Sequence, residues 1–278
     1  MTSTRRALPD YGNPPLVEVV CGVVFEPITK MLVPHFGLLW EEFKADYPVC
    51  QEAPPLVALV ESFDKSSPMS VPAGNVLQFA EIPPLPRVGF VHATGSRVIQ
   101  VQRDRFLHNW RKTRAEDEYP RYKNVLRMFR DHLSCFESFI ARSELGAVIP
   151  KQYEITYLNH IPQGDGWMAP SDIGKVFPDF AWRLKAQRFF PEFENTNWQT
   201  TFVLPNQSGR MYATIRQVTR SDNQEPLLLL DLTVRGVGKD TSPDAMWDWF
   251  DMAHEWIVRG FADLTSENEQ KEVWRRKR

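Results

Sequence analysis

The side chains best suited to chemistry in this sequence lie between Arg97 and Arg130. That stretch holds ten Arg and Lys residues against four acids, Asp104, Glu116, Asp117 and Glu118. Arg97, Arg103, Arg105, Arg111, Lys112, Lys123, Arg127 and Arg130 are candidate phosphate contacts, with Phe106, His108, Trp110, Tyr119 and Tyr122 interleaved. Cations for phosphates and rings for bases are what binding of single-stranded nucleic acid requires. The same residues also suit a solvated strand edge and the polar side of a helix, with the rings in a core. A basic stretch alone is only an electrostatic footprint.

Spacing sharpens this. Arg97, Arg103 and Arg105 share a parity, and so one face of an unbroken strand, but Ile99 and Val101 have that parity too. One face cannot be both core and phosphate-binding along its length, so convergence of the charges demands a bend near Asp104. Lys123, Arg127 and Arg130 follow at four- and three-residue steps, which puts them on one helix face.

A second constellation is the pair His108-Asn109 and Asn159-His160, polar residues set in apolar strand contexts. Imidazole titrates near neutral pH, and an amide can orient it, so His108 or His160 could act as a general base. The plainer alternative is a hydrogen-bonded histidine at a strand end. Catalysis requires all four residues to converge in space. Metal chemistry has no support: His-x-x-x-His and Cys-x-x-Cys are absent, as are phosphate-binding glycine loops and a G-x-S-x-G elbow. No metal or cofactor is expected.

The elements that must position these residues follow from periodicity. Leu16–Phe25 is nearly continuously apolar, as a central strand would be. Pro34–Phe43 reads as a helix. Residues 48–74 are proline-rich and read as loop, with at most a short strand at 56–60; Val76–Ile82 reads as a strand. Arg87–Thr94 and Arg97–Arg103 alternate around the turn Thr94-Gly95-Ser96. Tyr119 then opens a helix with Pro120 in its first turn. Tyr122, Val125, Leu126, Phe129, Leu133, Phe136 and Ile140 form its apolar stripe.

The order recurs. Lys151–Ile161 is an opening strand, and Ser171–Ala186 can form a helix interrupted at Pro178. Strands follow at Trp198–Leu204, Arg210–Thr219 and Leu227–Val234. Ser242-Pro243-Asp244 then starts a helix with the stripe Met246, Trp247, Phe250, Ala253, His254, Ile257, Phe261 and Leu264. The reading is an α+β protein of two pseudo-repeated β-α-β-β-β-α units, 1–145 and 146–278. They would form a mostly antiparallel sheet with helices on one face, as two halves or one continuous domain.

A chain of 278 residues with net charge −2 carries no global field favouring nucleic acid or anionic membrane. It has no apolar run approaching the roughly 18 residues of a membrane span and no signal-like N-terminus. Cys21, Cys50 and Cys135 suit reduced, mostly buried thiols in a cytoplasmic protein. Residues 1–12 and the tail Trp274–Arg278 read as loose.

Asn13-Pro-Pro-Leu-Val-Glu18, His35–Phe43, Gln102–Lys112 with its Arg-Phe-Leu-His-Asn-Trp-Arg-Lys core, Tyr119-Pro-Arg-Tyr122 and Tyr157–Ile161 together resemble a sporadically distributed bacterial family of uncharacterised proteins. The resemblance implies a bacterial, cytoplasmic, full-length unit and no catalytic residue. The expectation is therefore a non-enzymatic binding or adaptor protein working with a protein partner or as a homo-oligomer. The alternatives are a nucleic-acid-binding module using 97–130 and an enzyme centred on His108 and His160. No association with membrane is expected.

Overall fold

The computed structural model describes residues 7–57, 59–63, 85–180, 189–220, 223–238, 240 and 242–277. Nine strands form one mostly antiparallel sheet in the order β2-β3-β4-β5-β1-β6-β9-β8-β7. They are β1 (Leu16–Phe25), β2 (Val49–Ala53), β3 (Arg87–Val91), β4 (Arg97–Gln102) and β5 (Arg105–Arg111), then β6 (Pro150–Pro162), β7 (Asn197–Val203), β8 (Gly209–Thr219) and β9 (Pro226–Gly236). The two opening strands, β1 and β6, pair with each other at the centre, so the sheet runs unbroken across the boundary near residue 145.

The helices are α1 (Val33–Phe43), α2 (Tyr122–Arg142), α3 (Ile173–Val176), α4 (Pro243–Leu264) and α5 (Glu267–Glu272). Alternation decides which side of the sheet they cover. Register aligns Val19, Cys21 and Val23 with Trp110, His108 and Phe106 on one flank. On the other flank the same three align with Tyr157, Ile155 and Tyr153. These side chains form the core with the inward stripes of α2 (Val125, Phe129, Leu133, Phe136, Ile140) and α4 (Phe250, Ala253, Ile257, Phe261). Phe106 stacks on Phe136 at 5.0 Å, and Phe129 meets Phe250 edge-on at 5.4 Å, so the two long helices share one aromatic layer. The α4 start is as the sequence dictates: Ser242 Oγ accepts from the Ala245 N–H at 3.3 Å, with Pro243 and Asp244 in the first turn.

Several expectations are corrected. The strand from Arg97 does not bend at Asp104; it reverses there, with Gln102 opposite Arg105 across a two-residue turn. Arg97 consequently faces the helices and Arg105 the opposite side. Helix α2 begins at Tyr122, not Tyr119. Pro120 disfavours helical backbone at the residue before it, and Arg121 at φ 71° lies in the left-handed region. A strand at 49–53 pairs with β3 where loop was expected; the proline pair 54–55 ends it, and no strand forms among the described residues of 56–60.

The helix expected over 171–186 is a 3-10 turn followed by the single turn of α3, stopped before Pro178. Residues 181–188, and the strand expected at Val76–Ile82, lie outside the described residues. Cys50 is exposed. Residues 1–6 and 278 lie outside the described residues; residues 10–11 and 274–277 are not loose: Trp274 is buried 5.1 Å from Phe261, Tyr11 bridges to Arg276, and the Lys277 N–H donates to the Asp10 carbonyl.

Candidate ligand cavity

Alternation separates the residues singled out from the sequence. His108 points to the helices opposite Cys21, while Asn109 points away. Asn159 points to the helices and His160 away. On the β1 ladder His108 sits opposite Cys21 and Asn159 opposite Leu16, roughly 16 Å apart along the strand. The four therefore do not converge as a catalytic centre built from all of them would require. Asn109 donates to Glu18 Oε1 and accepts from Gln100, both at 2.7 Å. Asn159 donates to the Leu230 carbonyl at 3.2 Å. His108 is fully buried with neither ring nitrogen hydrogen-bonded, its ring 5.0 Å from that of His132. Burial, with like charge on His132 and Arg97, holds its pKa well below that of a free imidazole.

The basic residues also separate. Arg97 lies over the Tyr47 ring and beside His92. Arg103 donates to the Met31 carbonyl, and Arg111 to that of Gly95. Arg105 is buried against Glu154 on the other side of the sheet. Lys112 is exposed at the strand end. Only Lys123, Arg127 and Arg130 form a group, on the exposed side of α2, where Arg130 covers Trp247.

What does converge is elsewhere. A cavity of about 730 Å³ opens between the N-terminal arm, the start of α2, the middle of α4 and the centre of β6. Each wall has a local cause. Pairing of residues 12–13 with the carbonyls of Arg275 and Trp274 holds the arm in place. The left-handed Arg121 turns the chain so that Tyr119 and Tyr122 both line the cavity. Its guanidinium is held by Asp10 at 2.9 Å and the Tyr11 carbonyl at 3.3 Å. A positive φ at a non-glycine residue costs about 1–3 kcal/mol and persists only where surrounding contacts impose it.

Along one wall runs a hydrogen-bonded relay. The hydroxyls of Tyr119 and Tyr157 are 3.0 Å apart, and the Tyr157 hydroxyl is 2.9 Å from His254 Nδ1. The His254 ring stacks on Tyr122 at 3.8 Å and 7°, and the Tyr122 hydroxyl donates to Asp251 at 2.9 Å. Burial sets the electrostatics. It lowers the His254 pKa to about 4. It raises the phenols of Tyr119, Tyr122 and Tyr157, with Asp251 adding to the rise at Tyr122. At neutral pH Tyr119, Tyr122, Tyr157 and His254 are uncharged. With His254 protonated at Nε2, the chain runs as Tyr119 donating to Tyr157 and Tyr157 donating to Nδ1.

The sequence pattern placed His254 in the apolar stripe of α4 and Tyr157 within the opening strand of the second half, with no functional role for either. The available signal was the type of residue. A tyrosine or histidine in an apolar stripe must find a polar partner when buried, and here they find each other. Of the sequence candidates, Asn159 and Lys123 line this cavity. Among the described residues no cluster of His, Cys, Asp and Glu could hold a metal ion, and no helix is long and apolar enough to cross a membrane. No protein-family model, curated protein or solved structure matches this chain.

Proposed function

We propose that this chain is a non-enzymatic binding protein whose ligand is a small, mainly apolar organic molecule held in the cavity between α2, α4 and β6. The observation that carries this reading is the uncharged Tyr119–Tyr157–His254 relay lying along the cavity wall. A volume of about 730 Å³ suits a small ligand. Aromatic and aliphatic walls (Tyr11, Leu16, Ile257, Phe261) offer burial, and the relay offers oriented hydrogen bonds. An imidazole at about pKa 4 and phenols pushed above their ordinary value are poor proton carriers at neutral pH, which favours recognition over acid–base chemistry.

The test is native mass spectrometry and solvent extraction of the chain purified from its host. Wild type is expected to carry a small molecule that Val258→Trp, which fills the cavity, lacks. Retention of the same compound by Val258→Trp overturns the reading.

The adaptor role belongs to this proposal, and β7 supports it. Among the described residues this strand closes one end of the sheet with no neighbour on its outer side, and Phe202 and Val203 are exposed on it. An open edge is a template for strand addition by another chain. Phe202→Lys should abolish co-purification of a protein partner or the homo-oligomer while leaving the cavity ligand bound. The bacterial, cytoplasmic setting rests on the sequence resemblance and the free thiols. Duplication of a β-α-β-β-β-α unit is also part of the proposal, although the first half carries one strand more between its helices (β2–β5) than the second (β7–β9). Its support is that β1 and β6 are neighbours and that each is followed outward by strands of its own half.

A further inference from the structure

The side of the sheet away from the helices is crossed by a strap, residues 54–57 and 59–63. It runs from Gln102 on β4, past Arg105 on β5 and Gln152 on β6, to Arg210 and Tyr212 on β8. We propose that this surface is a binding site for an extended acidic peptide of another protein, and that the strap occupies it as an internal competitor. The site lies across the sheet from the cavity, so it stands or falls independently of the reading above.

The first argument is what the site reads. Gln102 is buried, yet its amide oxygen accepts from the Leu56 N–H and its amide nitrogen donates to the Leu56 carbonyl, both at 2.8 Å. Gln152 is fully buried; its oxygen accepts from the Glu61 N–H and its nitrogen donates to the Leu59 carbonyl, both at 2.7 Å. Each amide nitrogen also donates to a neighbouring acid, Gln102 to Asp104 at 2.8 Å and Gln152 to Glu154 at 3.1 Å, so the two oxygens and the remaining N–H of each amide are spent on main chain, which carries no sequence information. Buried amides require partners. Whatever replaces the strap must present both peptide N–H and C=O groups, and a phosphodiester backbone has no N–H to offer.

The second argument is charge. Glu61 is the strap's anchoring side chain: Oε1 accepts from the Tyr212 hydroxyl at 2.6 Å, and Oε2 pairs with Arg210. Beneath the strap, Glu154 is shared by Arg105 at 3.5 Å and Arg235 at 3.4 Å. Without Glu61, the Arg105, Arg210 and Arg235 guanidinium groups are left with the carboxylates of Glu154 and Asp231 on this side of the sheet. The occupant must therefore bring an acid at the Glu61 position.

The third argument is how weakly the strap is seated. None of its described residues is buried, and Val57 is 81% exposed. Segments with little buried apolar surface open at low cost. The strap is held by hydrogen bonds, the Glu61–Arg210 ion pair and the Phe63 ring 4.1 Å from the Arg210 guanidinium, contacts that a second peptide can replace one for one, and its advantage is its tether, which supplies a local concentration of roughly millimolar order.

The experiment uses the full chain and a fluorescein-labelled synthetic peptide of sequence Pro-Pro-Leu-Val-Ala-Leu-Val-Glu-Ser-Phe, followed by fluorescence anisotropy. Glu61→Lys, which sets a cation against Arg210, should bind the peptide at least about tenfold more tightly than wild type. Leu56→Pro removes the N–H that Gln102 accepts from and should shift affinity in the same direction. In the Glu61→Lys chain, adding Arg210→Ala should reverse the gain, as should a peptide carrying Lys in place of Glu. A labelled single-stranded oligonucleotide of ten nucleotides forms the comparison arm. The proposal is overturned if neither loosened variant, each shown folded by its thermal transition, gains peptide affinity. It is also overturned if the gain ignores the peptide's acid, or if the oligonucleotide binds in place of the peptide.

Discussion

His108 and His254 both lie between the sheet and the helices, and both are held neutral by burial. They differ in everything else. His108 has the His132 ring at 5.0 Å, two ring nitrogens without a hydrogen bond, and no part in the lining of the cavity. His254 has a stacked tyrosine, a phenol on Nδ1 and open volume beside it. Burial alone lowers a histidine pKa and does not make a site. A site needs a partner that fixes the ring and space for something to bind.

Acid should break this contrast first, and with the largest effect. A histidine whose folded pKa is depressed leaves the unfolded chain binding more protons below pH 6.5, so stability falls as pH drops and levels off below the folded value. For His132 and His254 the window runs from the ordinary 6.5 down to about 4. Each can contribute up to about 3 kcal/mol of loss, and His108 adds to it. Glu18 and Asp231, whose pKa values are raised by burial, work in the opposite sense and temper the fall. Urea unfolding at pH 7, 5.5 and 4 should show the decline. The slope should flatten in His254→Leu, whereas an unchanged slope would mean that His254 is already charged or exposed.

Next comes the layer the two regions share. Phe129 and Phe250 touch edge-on, Phe129 on the His108 side through Phe106 and Phe250 on the β6 side through Tyr153. Phe129→Ala and Phe250→Ala should each cost roughly 3–5 kcal/mol. In the double variant the losses should be non-additive, because the rings are in contact. Strict additivity in urea would separate the two regions into independent packing units.

Much of this layer was legible. The three- and four-residue repeats from Tyr122 to Ile140 and from Met246 to Leu264 fix which helix faces point inward, and Ser242 marks where α4 starts. Near-continuous apolarity put β1 in the sheet's interior. What stayed hidden has physical reasons. The Arg103-Asp104 turn carries no glycine or asparagine, so the reversal that sends Arg97 and Arg105 to opposite sides left no turn signal. Nothing in the sequence explains Gly22 within β1; it is where the Leu107 methyl fills the space a Cβ would need. The cavity draws on residues 7–16, 119–123, 157–159 and 251–261. No local period links segments so far apart, and Tyr157 and His254 each match the core pattern until they are seen to be partners. The strap is likewise a set of long-range pairings within a proline-rich stretch that reads as loop.

The smallest expected effect is the most discriminating. Replacing His108 with leucine keeps the approximate volume and removes two buried nitrogens that have no hydrogen bond. A buried unsatisfied polar group costs about 1–3 kcal/mol, so His108→Leu should leave stability unchanged or raise it by about 1 kcal/mol. His254→Leu removes the partner of the Tyr157 hydroxyl and the stack on Tyr122, and should lower stability by about 1–2 kcal/mol. The two substitutions are chemically identical, and their opposite signs would follow only from the difference in partners. The readout is the urea midpoint at pH 7, where both imidazoles are neutral, with the slope required to be the same in all three proteins. If His108→Leu is as damaging as His254→Leu, then His108 is hydrogen-bonded in solution, through a buried water or its neighbour His132. The distinction between the two regions would then rest on the cavity alone.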